Sequence, residues 1–366
     1  MNCLKVLIAM KLAIISNSLG LGGGEKIALN INNKILSSDC FKKVLFFTFD
    51  KGNLYSSPSN HVQCNKKSRV LSIITLFFYV FKFRPDVIQS HLLISNLINV
   101  VVSLIIGSKS QIVSHGSIKL LSSRWYFPLI KFFYKRASQI VCISDGMKHD
   151  AINIIGNDNV VVINNPHDID DIINNSYCID YIEQSDYFCV LGRLNKGKRI
   201  EDIINAFYQS KKSNFMKLYL IGDGDKEYVT KLKDIVRNLN IKDKVIFLGR
   251  RKNPYPIIKQ SKALILASES EGYPNCLIEA LILNVPVITS DCHTGPREIL
   301  KIDDCLDIYE SIDIGGNFIF PTGNINELKK SIEKISLKEK HNYSHLYEHL
   351  DINNVIRVYI SEIMSL

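Results

Sequence analysis

The sequence lacks any long uncharged apolar run, and this absence limits what the chain can be. No stretch reaches the roughly 20 uncharged apolar residues that a membrane-spanning helix requires. The nearest candidates are 71–83, which is short and contains Lys82, and 92–107, which contains Asn96 and Asn99. The second suits a buried helix of an α/β domain. The sequence therefore predicts no spanning segment.

The chain also lacks a cysteine pattern that would bind zinc or build a disulfide framework. Its nine cysteines are odd in number and scattered, with no C-x-x-C pair and no histidine at zinc-ligand spacing. Reduced cytosolic thiols are the simplest interpretation.

The first residues, MNCLKVLIAMKLAII, resemble a signal peptide only superficially. Lys5 and Lys11 interrupt the apolar run and no small-residue cleavage site follows, so we expect a buried strand. Met10 opens a phrase that would itself make a natural protein start. We therefore expect residues 1–9 to be an extension from an upstream start codon.

Length and charge set the broad class. A chain of 366 residues exceeds the size at which one core keeps growing, which predicts two domains. The formal net charge of +9 favours an anionic partner: nucleic acid, a sugar nucleotide or an acidic membrane surface. Composition does not choose among these.

Short apolar runs alternate with amphipathic segments along the whole chain. KLAIIS, KVLFFTF, DVIQSH, QIVSHG, QIVCIS and VVVINNP precede a polar break near 165–186, and YFCVLGR, KLYLIGD, KVIFLGR, ALILAS and PVITSD follow it. Strands that alternate with helices predict parallel sheets covered on both faces. We therefore expect the α/β class, with two facing, doubly wound, Rossmann-like domains over 1–170 and 171–350, separated by a cleft. The helical segment 351–366 is expected to pack back across the junction.

A glycine-rich turn follows the first complete strand. Gly22, Gly23 and Gly24 let backbone amides approach a ligand, and the helix that begins near Glu25 points its positive end at an anion. The run is not the G-x-G-x-x-G fingerprint, and no acidic residue clearly closes a second strand. A tight turn without a ligand is the alternative.

Two further strand ends carry candidate polar groups. His115 ends an apolar strand, where open α/β sheets bind ligands, and suits a sugar hydroxyl or proton transfer; a satisfied histidine is the alternative. Arg193 and Lys198 follow another strand and suit the two phosphates of a nucleoside diphosphate. A solvated basic loop is the alternative, and the neighbouring Lys196 leaves open which lysine acts.

The most informative stretch is ASESEGYPNCLIEALIL. Pro274 lies near the first turn of a helix, whose free amides would face a phosphate. Glu279, one turn inside, would reach a ribose diol, and Glu271 in the loop would face the sugar. A capping arrangement of the two glutamates is the alternative. The binding residues predicted here are Glu271, Gly272, Asn275, Cys276, Leu277 and Glu279.

The stretch SDCHTGPREIL predicts a strand end, a Gly-Pro turn and a helix start. Gly295 permits an unusual backbone angle and Pro296 begins the helix. Arg297 or Glu298 would line the same cleft. A well-formed turn without a binding role is equally compatible with the pattern.

Taken in this order, the stretches resemble the retaining glycosyltransferase family 4, which has the GT-B fold, over nearly the whole chain. EGYPNCLIE matches the family's Glu-x7-Glu signature at Glu271 and Glu279, and GRLNKGK matches its Arg and Lys pair. GGGEK resembles the family's glycine loop, with Gly24 in place of the usual alanine.

The resemblance implies roles for these residues. Glu271 would lie near the donor sugar hydroxyls, Glu279 on the ribose, Arg193 and Lys198 on the diphosphate, and His115 near the reacting sugar. The first domain would bind the acceptor and the second a UDP-sugar or related donor. Retention without a metal or cofactor would follow. Asp223-x-Asp225 resembles the metal motif of the other glycosyltransferase fold, but it ends the strand KLYLIGD of the second domain, where the resembled family has a metal-free turn.

The resemblance also points to a pathway. SDCHTGPREIL is most similar to bacterial enzymes that build lipid-linked O-antigen or capsule polysaccharide, which use polyprenyl-diphosphate saccharides as acceptors on the cytoplasmic face of the membrane. The segment 122–136, SSRWYFPLIKFFYKR, would then contact anionic lipid, although a buried helix explains its apolar members equally well. No nucleic acid is expected.

Other functions remain open. A nucleotide-sugar epimerase or hydrolase of the same fold would share the donor site. A nicotinamide-dependent oxidoreductase belongs to another class, and the imperfect glycine loop argues against it. A non-catalytic binder would explain the positive charge but not the set of Arg193, Lys198, Glu271 and Glu279.

Overall fold

The structure is a computed structural model that describes residues 10–20, 22–52, 55–178, 185–336 and 342–366. The expected extension at residues 1–9 lies outside the described residues, as does the middle of the polar break, residues 179–184. The chain divides into two compact units, Met1–Pro166 with Leu350–Leu366, and His167–His349.

The described part of the first unit contains a parallel sheet with the strand order β3-β2-β1-β4-β5-β6-β7. These strands are rich in Val, Ile and Phe and mostly buried, as strands covered on both faces must be. Their bounds are β1 (Lys11–Ser16), β2 (Lys43–Thr48), β3 (His61–Gln63), β4 (Val87–His91), β5 (Lys109–Ser114), β6 (Gln139–Cys142) and β7 (Val160–Val162).

Helices connect these strands: α1 (Gly23–Leu36), α2 (Arg69–Phe83), α3 (Leu93–Ile106), α4 (Ile118–Ser122), α5 (Phe127–Tyr134) and α6 (Asp145–Asp150). The buried helix predicted over 92–107 is confirmed as α3. Its Asn99 is fully buried and its amide donates to the Ile88 and Gln111 carbonyl oxygens at 2.8 and 3.0 Å. Buried polar groups of this kind need such partners, and here they tie the helix to two strands.

The segment 71–83 lies in α2, which carries apolar side chains on its exposed side as well as on its buried side. Leu76 and Val80 are buried, whereas Val70, Ile74 and Phe78 are more than half exposed. Within the described ranges, no helix combines the length and apolarity needed to cross a bilayer.

The second unit repeats the architecture with the strand order β10-β9-β8-β11-β12-β14-β13. Its strands are β8 (Tyr187–Leu191), β9 (Lys217–Ile221), β10 (Val245–Gly249), β11 (Leu264–Leu266), β12 (Val287–Asp291), β13 (Ile312–Ile314) and β14 (Asn317–Pro321). Two parallel sheets of this type confirm the predicted α/β fold class.

One pairing departs from the parallel pattern. β13 runs antiparallel to β14 at the sheet edge. Gly315 and Gly316 join them with φ angles of 59° and 86°. Two consecutive left-handed residues form the tight turn that matches the twist of a hairpin, which Gly-Gly adopts without steric cost.

The helices of the second unit are α7 (Ile169–Asn175), α8 (Ile200–Gln209), α9 (Lys226–Asn238), α10 (Tyr255–Gln260), α11 (Asn275–Ile282), α12 (Pro296–Leu300), α13 (Ile325–Lys334) and α14 (Ser344–Tyr347). The last helix, α15 (Ile352–Ser365), belongs to the first unit and packs against α1. Asp351 caps α15 by accepting from the Asn353 amide at 2.9 Å.

Candidate active site

Two loops of the second unit meet at an ion pair between Lys198 and Glu271. Lys198 closes a short turn after β8, in which the Asn195 side chain accepts from the Lys198 amide at 3.2 Å. The Lys198 ammonium donates to the Glu271 carboxylate, and the two side chains are 24% and 12% exposed. Burial acts to lower the pKa of Lys198, but the nearby Glu271 carboxylate outweighs it and the pKa is raised. Lys198 is therefore a fixed positive charge.

The other basic residues of this loop are placed differently. Arg193 and Lys196 are exposed. Arg199 donates to Asp202 at 2.6 Å and to Glu269 at 3.0 Å, so it stabilises the loop and the start of α8. Of the two candidate lysines, Lys198 is thus the one that a carboxylate holds in place.

Close backbone contact brings the loops after β8 and β9 together. A Cβ atom at Gly222 would lie 1.8 Å from the Gly192 carbonyl oxygen, so no other residue fits there without movement. Asp223 then accepts from the Gly224 amide at 2.8 Å, and Asp225 caps α9 by accepting from the Glu227 amide at 3.0 Å. Both carboxylates therefore accept hydrogen bonds from backbone amides close to them in the sequence.

The predicted helix after Pro274 is α11, with Pro274 at its N-cap position. One expectation about its first turn is wrong. The Leu277 amide is not free, because it donates to the Pro274 carbonyl oxygen at 3.1 Å. Glu279, one turn further, accepts from the Tyr255 hydroxyl at 3.4 Å.

The turn at Gly295 and Pro296 packs against the loop that contains Glu271. Gly295 has φ +93°, and a Cβ atom there would lie 2.6 Å from Pro274 Cδ and 3.0 Å from the Gly272 carbonyl oxygen. The Thr294 hydroxyl donates to the Glu271 carbonyl oxygen. The predicted turn and the helix that begins at Pro296 are both confirmed.

Arg297, one of the two residues expected to line the cleft, is held by partners within the second unit. Its guanidinium donates to both carboxylate oxygens of Asp291, at 2.6 and 2.7 Å, and to the carbonyl oxygens of Asp303 and Asp304. Such a bidentate pair uses the planar fork of arginine fully. Arg297 therefore fixes the end of β12.

In the first unit, His115 follows β5 and meets a second histidine. His91, the last residue of the neighbouring strand β4, lies with its Nδ1 2.9 Å from His115 Nε2. Burial lowers the pKa of His115 to about 4 and the pKa of His91 well below its usual value. Both rings are therefore neutral at pH 7.

The glycine-rich turn lies against His115. α1 begins at Gly23, and the Glu25 carboxylate folds back over Gly22, where a Cβ atom would be only 1.9 Å from Glu25 Oε2. A Cβ atom at Gly24 would lie 2.7 Å from Leu92 Cδ2 and 3.4 Å from His115 Cδ2. The absence of a side chain at Gly24 thus leaves room for the close approach of the Leu92 side chain.

Two residues at these sites escaped the sequence reasoning. Tyr255 gave no signal, because only the fold brings α10 beside Glu279. His91 did leave one: DVIQSH and QIVSHG both end in histidine, and adjacent parallel strands bring their carboxyl ends to one edge of a sheet.

Two family models match different parts of the chain. Residues 180–349 match the model of the family described as Glycosyl transferases group 1, and residues 49–171 match that of Glycosyltransferase Family 4. An uncharacterized glycosyltransferase of Methanocaldococcus jannaschii is 42% identical, over 34% of this chain and 30% of its own length.

Two bacterial relatives align over most of both chains. The lipopolysaccharide 1,6-galactosyltransferase of Escherichia coli is 27% identical over 84% of this chain and 87% of its own. The N-acetylgalactosamine-N,N'-diacetylbacillosaminyl-diphospho-undecaprenol 4-alpha-N-acetylgalactosaminyltransferase of Campylobacter jejuni is 27% identical over 80% and 84%. Among solved structures, Anabaena HepE in complex with UDP and glucose superposes with a TM-score of 0.78 at 16% identity, over 98% of this chain and 100% of that one.

Proposed function

We propose that this chain, a glycosyltransferase of the GT-B fold, transfers a hexose or an N-acetylhexosamine from a UDP-sugar to a lipid-linked saccharide, with retention and without a metal ion. The acceptor would be a polyprenyl-diphosphate saccharide of bacterial surface polysaccharide synthesis, such as O-antigen or capsule. The names of the Escherichia coli and Campylobacter jejuni relatives support the pathway and the acceptor. The UDP bound to HepE supports the nucleotide.

The observation that carries the proposal is the largely buried pair of Lys198 and Glu271. A fixed cation beside the start of α11 suits the β-phosphate of a nucleoside diphosphate, and the paired carboxylate suits the hydroxyl groups of the attached sugar. Without a ligand, each charge neutralises the other. A sugar nucleotide would replace this contact with a phosphate on Lys198 and sugar hydroxyls on Glu271.

The remaining roles follow from position. Arg193 lies in the same loop as Lys198 and would make a second contact with the diphosphate. Glu279 would accept from the ribose hydroxyls, beside the Tyr255 hydroxyl that it already binds. His115 would contact a hydroxyl of the reacting sugar, and the turn from Gly22 to Glu25 would bind the acceptor side.

In the proposed reaction the acceptor oxygen forms a bond to the anomeric carbon on the face from which UDP leaves. The bond between that carbon and the β-phosphate oxygen breaks, and the leaving phosphate takes the acceptor proton. Negative charge grows on the β-phosphate, so Lys198, Arg193 and the first amides of α11 would stabilise the transition state more than the ground state. These protein charges would take the place of a metal ion in stabilising the leaving phosphate.

The first unit has a surface suited to an anionic membrane. Trp125 is 90% exposed, and Leu129 and Phe132 are at least half exposed. Five basic residues near them in the sequence are also exposed: Lys119, Arg124, Lys131, Lys135 and Arg136. Only Ile130 and Tyr134 of α5 are buried, so burial does not account for its outer face. A segment that exposes both apolar and basic side chains suits an interface of anionic lipid, and so an enzyme at the inner face of the plasma membrane.

Thermal stabilisation by UDP, GDP, ADP and NAD tests the donor site. Ligand at about 100 times its Kd stabilises the folded state by roughly 2.7 kcal/mol. We expect UDP to raise the Tm of the wild type, and Glu279→Ala and Arg193→Ala to lose most of that shift. Stabilisation by NAD alone, or by none of the four, would reject the proposed donor site. Asp234→Ala, which changes a side chain on α9 that is 47% exposed, is the control that should retain the UDP shift.

A further inference from the structure

Three glutamines form a hydrogen-bonded ladder across the sheet of the first unit. Gln89, Gln111 and Gln139 occupy paired positions on the adjacent strands β4, β5 and β6, and each is at most 2% exposed. The Gln89 amide nitrogen donates to Gln111 Oε1 at 2.7 Å, and the Gln111 nitrogen donates to Gln139 Oε1 at 2.7 Å. These bonds link side chains on one face of three neighbouring strands.

The ladder has a defined direction because a carboxylate terminates it. The Gln139 amide nitrogen donates to Glu362 Oε2 of α15 at 2.7 Å. An ionised carboxylate only accepts hydrogen bonds, so Gln139 must turn its NH2 group toward Glu362 and its oxygen toward Gln111. Gln111 and Gln89 must then follow in the same orientation, since an oxygen facing an oxygen would be repulsive.

The other end of the ladder meets the histidine pair. Gln89 Oε1 lies 3.3 Å from His91 Nε2. Because this oxygen only accepts, His91 Nε2 carries the proton and His91 Nδ1 has the free lone pair. His115 Nε2, 2.9 Å from His91 Nδ1, must therefore be the donor. A neutral imidazole has one proton, so His115 Nδ1 is left as an acceptor.

We propose that Gln89, Gln111, Gln139 and His91 are positioning residues that, anchored by Glu362, hold His115 as its Nε2–H tautomer and present Nδ1 as a hydrogen-bond acceptor to a substrate hydroxyl. Among the described residues, His115 Nδ1 makes no hydrogen bond, so it is available for this role. The identity of the substrate as a sugar rests on the proposed function. The tautomer rests on the ladder alone.

The low pKa of His115 supports the same role. Burial keeps the ring neutral down to about pH 4, so Nδ1 retains its lone pair at physiological pH. In the other neutral tautomer, His115 Nδ1 would carry the proton and would donate a hydrogen bond instead of accepting one. The hydrogen-bonded chain from Glu362 to His115 has one consistent assignment of donors and acceptors, and it excludes that tautomer.

Nitrogen NMR of the ligand-free, full-length protein labelled with 15N-histidine tests the proposal. The His115→Gln variant assigns the His115 signals among those of the nine histidines. At pH 7 we expect His115 Nε2 to resonate as a protonated nitrogen and Nδ1 as a non-protonated one. The reverse pattern, or an even mixture in the wild type, overturns the proposal.

Two variants at opposite ends of the ladder test its direction. Glu362→Leu removes the terminal acceptor and Gln89→Met removes the contact to His91, so each should shift the His115 nitrogens toward positions averaged over both tautomers. Arg357→Leu, an exposed charged-to-leucine change on the same helix, should leave them unmoved. An unchanged His115 pattern in a folded Glu362→Leu protein contradicts the role of Glu362.

A kinetic readout separates this inference from the proposed function. If UDP-sugar turnover is found, Glu362→Leu should lower kcat by roughly tenfold, the size of one hydrogen bond, with little change in KM for the donor. The tautomer is measured without substrate. A wrong donor would therefore leave the NMR result intact, and a wrong tautomer would leave UDP binding intact.

Discussion

Removal of either partner of the Lys198 and Glu271 pair should destabilise the second unit, and removal of both should cost less than the sum of the two single losses. Breaking a fully buried pair costs about 3–5 kcal/mol because one charge is left unpaired. The side chains here are 24% and 12% exposed, so water screens the survivor and we expect roughly 1–3 kcal/mol for Lys198→Met or Glu271→Gln. The double variant should show a coupling energy of about 1 kcal/mol or more.

Calorimetric or fluorescence-detected melting measures this cycle. A loss of 2 kcal/mol lowers Tm by about 4–8 °C for a domain of this size class. The double variant should melt closer to the wild type than the sum of the single effects predicts, yet it should fail to bind UDP. Strictly additive effects on Tm would refute the view that the two side chains form a coupled pair.

Three further outcomes follow from the structure. Gly295→Ala should lower Tm, because alanine is strained at φ +93° and its Cβ atom would lie 2.6 Å from a proline carbon; melting measures a cost of roughly 1–3 kcal/mol. Arg297→Leu should lower Tm without changing the calorimetric Kd for UDP, because its partners are Asp291 and two carbonyl groups; a tenfold loss of affinity would contradict this. The free energy of unfolding should fall as pH drops below about 6.5, because the folded state holds the His115 pKa near 4 and so binds fewer protons than the unfolded chain. In His115→Gln, the free energy of unfolding, measured by melting at a series of pH values, should depend less steeply on pH than in the wild type, by about 1.4 kcal/mol per pH unit.

Much of the fold could be predicted because apolar strands and amphipathic helices alternate so regularly. The strands KLAIIS, KVLFFT and KLYLI appear in the structure as predicted, and so does the buried helix with Asn96 and Asn99. The β13–β14 hairpin was missed, because its strands are short and the Gly-Gly turn was not recognised in the sequence.

Side-chain partners were harder to predict than elements. Arg297 has the chemistry of a ligand-binding residue, but Asp291, six residues earlier, ends the preceding strand and accepts two hydrogen bonds from its guanidinium. The Leu277 amide is lost to a tight first turn that a helical pattern does not reveal. The glutamine ladder depends on strand register, which places Gln89, Gln111 and Gln139 side by side although 22 and 28 residues separate the neighbours along the chain.

The most direct test of the account is a transfer assay with UDP-linked hexoses and N-acetylhexosamines, polyprenyl-diphosphate saccharides, and EDTA present throughout. We expect mass spectrometry to detect an acceptor heavier by one sugar residue, together with free UDP, and NMR to show the anomeric configuration of the donor retained. Lys198→Met should abolish the product. A parallel reaction without EDTA is the reference for metal dependence. Release of free sugar without acceptor modification, inversion at the anomeric carbon, or activity only in the reaction without EDTA would contradict the proposed reaction.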